Sequence, residues 1–449
     1  MRLATLRLAF RSLSIPNYRR YFTGQVISVS GNWMQIVGEN WLVLKLTGSG
    51  AAVGLTAALQ FLPMLFAGAW GGLLADRISK RRLLAITQAL MAVPALTLWA
   101  LTASGKVTPL MVYALVFARG AVNAVDNPAR QSFVMELVGR ERVVNAVSLN
   151  SLIVHSARII GPAIAAAVIA SVGIAQCFLI NAASFGAMLL ALRRMEPGEL
   201  HTAEPAGRRR GQLRAALRHV LETPGLRAPL AAMALVGTLS FNFQVILPLM
   251  ARFAFRGSAA TYASFTAAMA AGAVLGALTS GTRRSVRPAL LAAAALAFGS
   301  FSLAAAVAPT YGAELLVLAG TGAASVTFAA GVNSTLQLTA DPAMHGRVMA
   351  LYSVVFLGST PIGAPLTGWL AGAAGPRSAL VMAGAAALIG GACLWAGLAR
   401  ASGGPSLRRL PNLPHKRWIA ARSPAYERTS AARSSAISAL ESSQPSRTH

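Results

Sequence analysis

Glu39, Arg119, Asp126, His155 and Arg158 stand inside stretches of sequence that are otherwise apolar. An ionised side chain at that depth in hydrocarbon costs roughly 3 kcal/mol or more, so each needs a partner, a water-filled passage or a task. Carboxylates close to guanidinium groups are suited to taking up and releasing protons, and the guanidinium groups are suited to holding an anionic substrate. With a helical rise of about 1.5 Å per residue, Arg119 and Arg158 fall roughly 22 Å from one membrane boundary, His155 roughly 17 Å and Asp126 roughly 12 Å. These residues therefore share a layer as candidates for a proton or substrate pathway. Plainer readings stand beside this one. Asp126 and Arg130, four residues apart, suit a local ion pair on one helix face. Glu39, six residues before Lys45, could snorkel to the interface. Against that, Gln25, Asn32, Gln35 and Glu39 fall on one helical stripe, which favours a site facing other helices. His155 alone fits a hydrogen-bonded packing residue, Asn181 and Gln244 fit interhelical hydrogen bonds, and Glu314 falls at the end of an apolar stretch.

A second chemical signal is the segment GGLLADRISKRR, residues 71–82. Gly72 permits close helix approach, and Asp76 at the membrane edge can accept hydrogen bonds or face the positive end of another helix. Arg77, Lys80, Arg81 and Arg82 suit an anionic lipid surface. A loop that merely set topology would explain the basic residues but not the acid among them, so coupling to conformational change is the expectation.

The elements that must position these residues follow from composition. Of 449 residues, 55% are hydrophobic and only 12% charged, with a mean hydropathy of +0.57. Soluble globular proteins carry nearer 25% charge, so a water-soluble enzyme, a disordered scaffold and a disulfide-stapled secreted domain are excluded. Spanning about 30 Å of hydrocarbon takes roughly 20 helical residues. Nine charge-free gaps between Lys45 and Arg400 are that long, and three further apolar stretches carry Glu39, Arg119 with Asp126, and Arg158. Twelve transmembrane helices are expected. Placing the N-terminus inside assigns most of the 40 Lys and Arg residues to cytoplasmic segments, so both termini are expected in the cytoplasm. The net charge of +27 then reads as a topology signal and an attraction to anionic membrane lipids, with no nucleic acid as partner. Cys177 and Cys393 lie in apolar runs and suit small buried hydrophobes. Arginines interrupt the apolar N-terminus, which does not read as a cleavable signal peptide. No P-loop, metal-ligand cluster or nucleophile set occurs, so neither a cofactor nor an enzyme is expected.

The segment 196–225, containing GRRRGQLRAALRHV, divides six expected spans from six and could include a surface helix. The chain thus reads as an N-terminal segment at 1–17, a six-helix bundle at 18–195, a central loop at 196–225, a second bundle at 226–400 and a basic, disordered tail at 401–449. Sliding the sequence on itself by 202 residues pairs Gly120 with Gly322, Ser132 with Ser334, Leu149 with Leu351 and Gly161 with Gly363, without a gap. Such duplication is the pattern of transporter halves packed about an axis normal to the membrane, with a pathway between them.

At Gly72, Asp76, Arg77, Lys80 and Arg81 the sequence resembles the cytoplasmic signature of the major facilitator superfamily, with Ser79 where that signature has its second glycine. The resemblance implies that Asp76 and its basic neighbours bridge the two halves and stabilise an outward-open state. The equivalent second-half segment, GALTSGTRRSVR, lacks the acid. From Asn17, Asp126 and Asn145 the sequence is similar to the branch containing the bacterial enterobactin exporter and macrolide-efflux proteins, over roughly residues 15–400. Gly161 and Pro162 match the end of that superfamily's antiporter signature, while Ala157 and Ala165 stand where glycines are usual. The resemblance implies an all-α major facilitator fold of two pseudo-symmetric six-helix bundles in the bacterial inner membrane. It also implies a monomeric exporter of a small organic molecule, siderophore-like or drug-like, driven by proton antiport through alternating access. The alternatives are a proton-coupled importer of a small metabolite and a non-transporting receptor or structural protein.

Overall fold

A computed structural model describes residues 10–201, 212–281, 288–341 and 344–401; the side chains of residues 67–77 and of His155, among others within helices, lie outside that description. The described chain contains no strand. Its long helices are α1 (Pro16–Thr47), α2 (Gly50–Arg77), α3 (Lys80–Ala103), α4 (Pro109–Ser171) and α5 (Ile174–Arg193) in the first half. The amphipathic α6 (Gln212–Glu222) links these to α7 (Pro224–Leu239), α8 (Phe243–Leu249), α9 (Ala259–Gly281), α10 (Pro288–Val307), α11 (Tyr311–Thr339), α12 (His345–Gly358), α13 (Thr360–Ala374) and α14 (Pro376–Ala401). Among the described residues, eight apolar helical segments are long enough to cross a membrane. The other four expected spans coincide with α1, α2 and the two limbs of α4, where charge or undescribed side chains intervene.

Local chemistry sets the helix ends. Pro16 opens α1, where a missing N–H costs nothing, and Gly48 closes it at φ 61°, its N–H bonded to Leu44 O at 2.9 Å. Thr108 and Thr310 cap α4 and α11 by accepting from the Met111 and Ala313 N–H groups. The fourth and fifth expected spans are the two limbs of α4, which meet at a kink at Gly139, whose non-helical φ of 69° and ψ of 175° suit a residue without a side chain. His201 closes over this bend, donating its N–H to Glu136 O at 2.8 Å.

The expected seventh and eleventh spans are each interrupted. α7 stops at Ser240, whose hydroxyl donates to Ala383 O at 2.7 Å, and Asn242 donates to Thr238 O at 2.6 Å. Both side chains offer the backbone an alternative to helical bonding, which the apolar pattern of the sequence conceals. A π-turn over Met250–Ala254 then follows α8. Ser359 separates α12 from α13.

The residues paired by the internal repeat occupy equivalent contacts. A Cβ on Gly120 would strike the Gln60 carbonyl of α2, and one on Gly322 would strike the Met269 carbonyl of α9. Likewise Gly161 seats the second limb of α4 against Ser30 and Trp33 of α1, and Gly363 seats α13 against Thr238 of α7. Backbone approach of this kind is how helices gain packing energy where lipid removes the hydrophobic drive.

The halves share a core at one end. One apolar cluster unites second-half helices with Trp41, Leu42, Val43, Val53, Val116 and Phe178, all on the side of the first half nearer Gly48. Toward Gly139 the first half has a cluster of its own, including Tyr18, Tyr21, Leu84, Phe133 and Leu192, without a second-half member. Across the Gly48 end, Trp41 stacks on Tyr262 at 6.4 Å, Asn40 donates to Gln244 O at 3.1 Å, and α2 meets α13 backbone to backbone at Gly50, Gly54, Ala364 and Gly368.

Candidate functional site

The polar stripe of α1 meets α4 and α5 inside the first half. Glu39 is 2% exposed and bonded on both oxygens: Gln35 Nε2 donates to Oε1 at 2.7 Å, and Arg119 Nη2 of α4 reaches Oε2 at 2.6 Å. Asn181 of α5 donates to Gln35 Oε1, and Ser184 Oγ donates to Asn181 O at 2.7 Å. Glu39 is therefore a buried ion pair and not a snorkelling residue, because its oxygens are spent on helices of the bundle. The Arg119 Nε has no hydrogen-bond partner among the described residues.

A second cluster lies nearer Gly139. Asp126, 1% exposed, accepts from Thr87 Oγ1 at 2.6 Å and Gln88 Nε2 at 2.9 Å on α3, and pairs with Arg130 one turn along α4. Arg130 also donates to Gln25 Oε1 of α1. The i, i+4 pair expected from spacing thus exists, but as one edge of a network tying α1, α3 and α4.

Arg158 is placed differently. Its guanidinium lies over the Trp33 ring, 5.0 Å from the centroid, and its Nε has no hydrogen-bond partner among the described residues. No described acid pairs with it. A guanidinium stacked on indole keeps its edge donors for a further acceptor. Gly161, one turn along, packs against Trp33 and Ser30, so Gly161 fixes the register of Arg158 over its ring. The pathway candidates are therefore not one cluster: Glu39 with Arg119 and Asp126 with Arg130 form two separate networks, and Arg158 stands outside both. His155 lies outside the described side chains.

Of the signature segment, Gly72, Asp76 and Arg77 have side chains outside the description. Lys80 Nζ pairs with Glu136 of α4 at 2.7 Å, and Arg81 donates to the carbonyls of Leu192 and Arg193 at 2.7 and 3.0 Å. Both contacts lie within the first half. Thr87, Gln88 and Trp33 escape sequence reasoning because uncharged polar and aromatic residues are ordinary in membrane helices; Gln88 at the level of Asp126 was the one available signal.

Residues 8–402 match the family described as transmembrane secretion effector. The staphyloferrin A transporter of Staphylococcus aureus is 33% identical over 175 residues, 38% of this chain and 44% of that protein, so this match spans less than half of the relative. An enterobactin exporter of Citrobacter koseri is 27% identical over 84% of this chain and 91% of its own, and one from Escherichia coli is 28% identical over the same shares. Among solved structures, a bacterial homologue of the lysosomal transporter Spinster superposes with a TM-score of 0.70 at 13% identity, covering 88% of this chain and 99% of that one. The nucleoside transporter NupG gives 0.67 at 14% identity, with 85% and 99% covered. These likenesses carry the fold, an all-α, multi-pass inner-membrane architecture, and the family match and the transporters named above carry the class of activity, secondary transport of a small molecule and not enzymatic catalysis. With that match running over nearly the whole described chain, the protein belongs to the transmembrane secretion effector family of the major facilitator superfamily.

Proposed function

We propose that this transporter is a proton antiporter exporting a small organic molecule with an anionic or catecholate-like group, siderophore-like or drug-like in size. The observation that carries the reading is the separation of roles in the first half: two buried carboxylate–guanidinium networks, and one guanidinium, Arg158, stacked on Trp33 with no described acid. Protonation of Glu39 or Asp126 removes one charge of a buried pair and frees its arginine, a large local change in a medium that screens poorly. Arg158 holds the substrate anion, and Trp33 lies beneath it. The name of the enterobactin exporters supports export, and that of the staphyloferrin A transporter supports a small organic cargo.

In this reading both termini are cytoplasmic, the Gly48 end faces outward, and two six-helix bundles rock about a central passage; the shared core at the Gly48 end supports an inward-open state. Lys80 and Arg81 are then held by the first half, and the segment with Gly72, Asp76 and Arg77 closes across the halves in the opposite state. The protein works as a monomer with its basic loops against anionic lipid. The test is uptake of enterobactin or staphyloferrin A by inverted vesicles. A protonophore should abolish accumulation, and Asp76→Asn should slow it at unchanged protein level. Accumulation that survives the protonophore but requires ATP would overturn the reading. For the substrate site, Arg158→Gln in monodisperse protein should weaken affinity while Arg158→Lys retains part of it; equal affinity in all three proteins would remove Arg158 from the pathway.

A further inference from the structure

Glu314 is the one acid within the described second-half helices; the other acid between residues 224 and 401, Asp341, is exposed beyond the end of α11. Glu314 sits in the first turn of α11, at the Gly48 end, with 0% exposure, and neither carboxylate oxygen has a hydrogen-bond partner among the described residues. The neighbours supply little. α11 packs on α9 and α10; α10 has no titratable side chain, and α9 has only Tyr262. α7 and α12 meet α11 near residues 329–339, and their titratable residues Arg227, His345, Arg347 and Tyr352 stand at that far end. Arg377, in the first turn of α14, is the cation that acts on Glu314, but it donates to Ala306 O and Ala308 O, each at 3.0 Å. On α11 itself, the Tyr311 hydroxyl is 2.6 Å from Ser264 Oγ.

An ionised carboxylate has lone pairs for several donors, and here it meets none, whereas a neutral acid tolerates such surroundings at far lower cost. A metal ion in this position would need several further oxygens, and no group of three metal-ligating side chains occurs among the described residues. The ligand that fits is a proton. The location ties it to the contact between the halves: Tyr311, one turn from Glu314, packs on Phe265 of α9 at 5.6 Å, and one turn before Phe265, Tyr262 stacks on Trp41 of α1.

We infer that Glu314 is a second proton-binding site, occupied while the Gly48 end is closed and emptied to water when that end opens. The step is proton transfer alone: the carboxyl O–H breaks, the proton passes to water at the Gly48 end, and the carboxylate remains beside Arg377. Its use in transport rests on the proton-driven reading above, but its occupancy does not. Infrared difference spectra between low and high pH, on purified protein in lipid nanodiscs without substrate or gradient, read that occupancy. A carbonyl-stretch component of a protonated carboxyl should be present in the wild type, shifted in Glu314→Asp and missing in Glu314→Gln, on top of any signal that Glu39 or Asp126 contributes to all three proteins. Spin labels at Leu46 and Phe253, with Cys177 and Cys393 replaced, read closure. The closed-to-open ratio should fall with rising pH, by up to tenfold per pH unit for one linked proton, and Glu314→Gln should flatten that slope. A wild-type carboxyl signal that Glu314→Gln leaves unchanged, a slope that Glu314→Gln leaves unchanged, or loss of the Glu314 component on adding sodium at fixed pH would overturn the inference. Protonophore-resistant transport with the Glu314 band intact would sink the proton-driven reading and leave this site standing.

Discussion

In α1–α5 the ionisable residues pair off, Glu39 with Arg119 and Asp126 with Arg130, the first pair held also by Gln35 and the second by Gln25, Thr87 and Gln88. The interior of α7–α14 is apolar, rich in alanine and leucine with phenylalanine, valine and methionine, and Glu314 is its one buried acid among the described residues. The same helix pairs meet at equivalent glycines in both halves, so the backbone frame is shared while the side-chain chemistry has diverged. A duplicated frame thus tolerates charge in the interior of one half while the other stays apolar. Polar networks fix helix positions through directional bonds, whereas small apolar contacts such as those of α9 with α11 depend on shape alone.

The largest effect expected from breaking this asymmetry is at Asp126. Asp126→Ala would strand Arg130 and leave Thr87 and Gln88 without their acceptor, at a cost of about 3–5 kcal/mol, read as lost thermal stability of detergent-solubilised protein. Thr367→Ala, which removes a buried helix-internal bond in the second half, should cost only about 1 kcal/mol in the same assay. Equal losses would show that the first-half network holds no special share of stability.

Next in size is the coupling between Glu39 and Arg119. Each single neutral variant leaves a buried charge, so Glu39→Gln with Arg119→Gln together should be less destabilising than the sum of the two, by roughly 0.5–3 kcal/mol. Additivity would separate the pair energetically despite its 2.6 Å contact. At the junction of the halves, Gly54→Val pushes a side chain into the Ala364 carbonyl, and overpacking of this kind costs about 1–3 kcal/mol. The Gly48 end should open, exposing a cysteine placed at Ala57 to a water-soluble maleimide; unchanged labelling would show that the α2–α13 contact does not hold that end shut. The smallest effect is at Lys80. Lys80→Ala removes a partly exposed pair with Glu136 and should change stability by no more than about 1 kcal/mol.

Much of this contrast is written in the sequence. The spacing of charges along α1–α5 and α7–α14 reflects bilayer thickness, a constraint that acts locally and therefore shows locally. Asp126 with Arg130 is legible for the same reason, being one helical turn. The pairing of Glu39 with Arg119 is not, since only the packing of α1 on α4 brings them together, nor is the choice of Trp33 beneath Arg158. The interruptions at Ser240 and Ser359 are hidden because serine and asparagine are tolerated inside membrane helices, and their backbone competition appears only with a partner such as Ala383 O in place. The bend at Gly139 is hidden too, because a single glycine does not tell a turn from a helix.

The ion pair of Glu39 and Arg119 also bears on biosynthesis. The two residues are 80 positions apart, so at roughly 5–20 residues per second the ribosome delivers the guanidinium some 4–16 s after the acid. During that interval α1 holds an unpaired carboxylate, and its integration into lipid is disfavoured until α4 emerges. Stable integration of α1 is thereby expected to await α4, so a nascent chain stalled before Arg119 should hold α1 more loosely in the bilayer than one extended past it, as carbonate extraction would show.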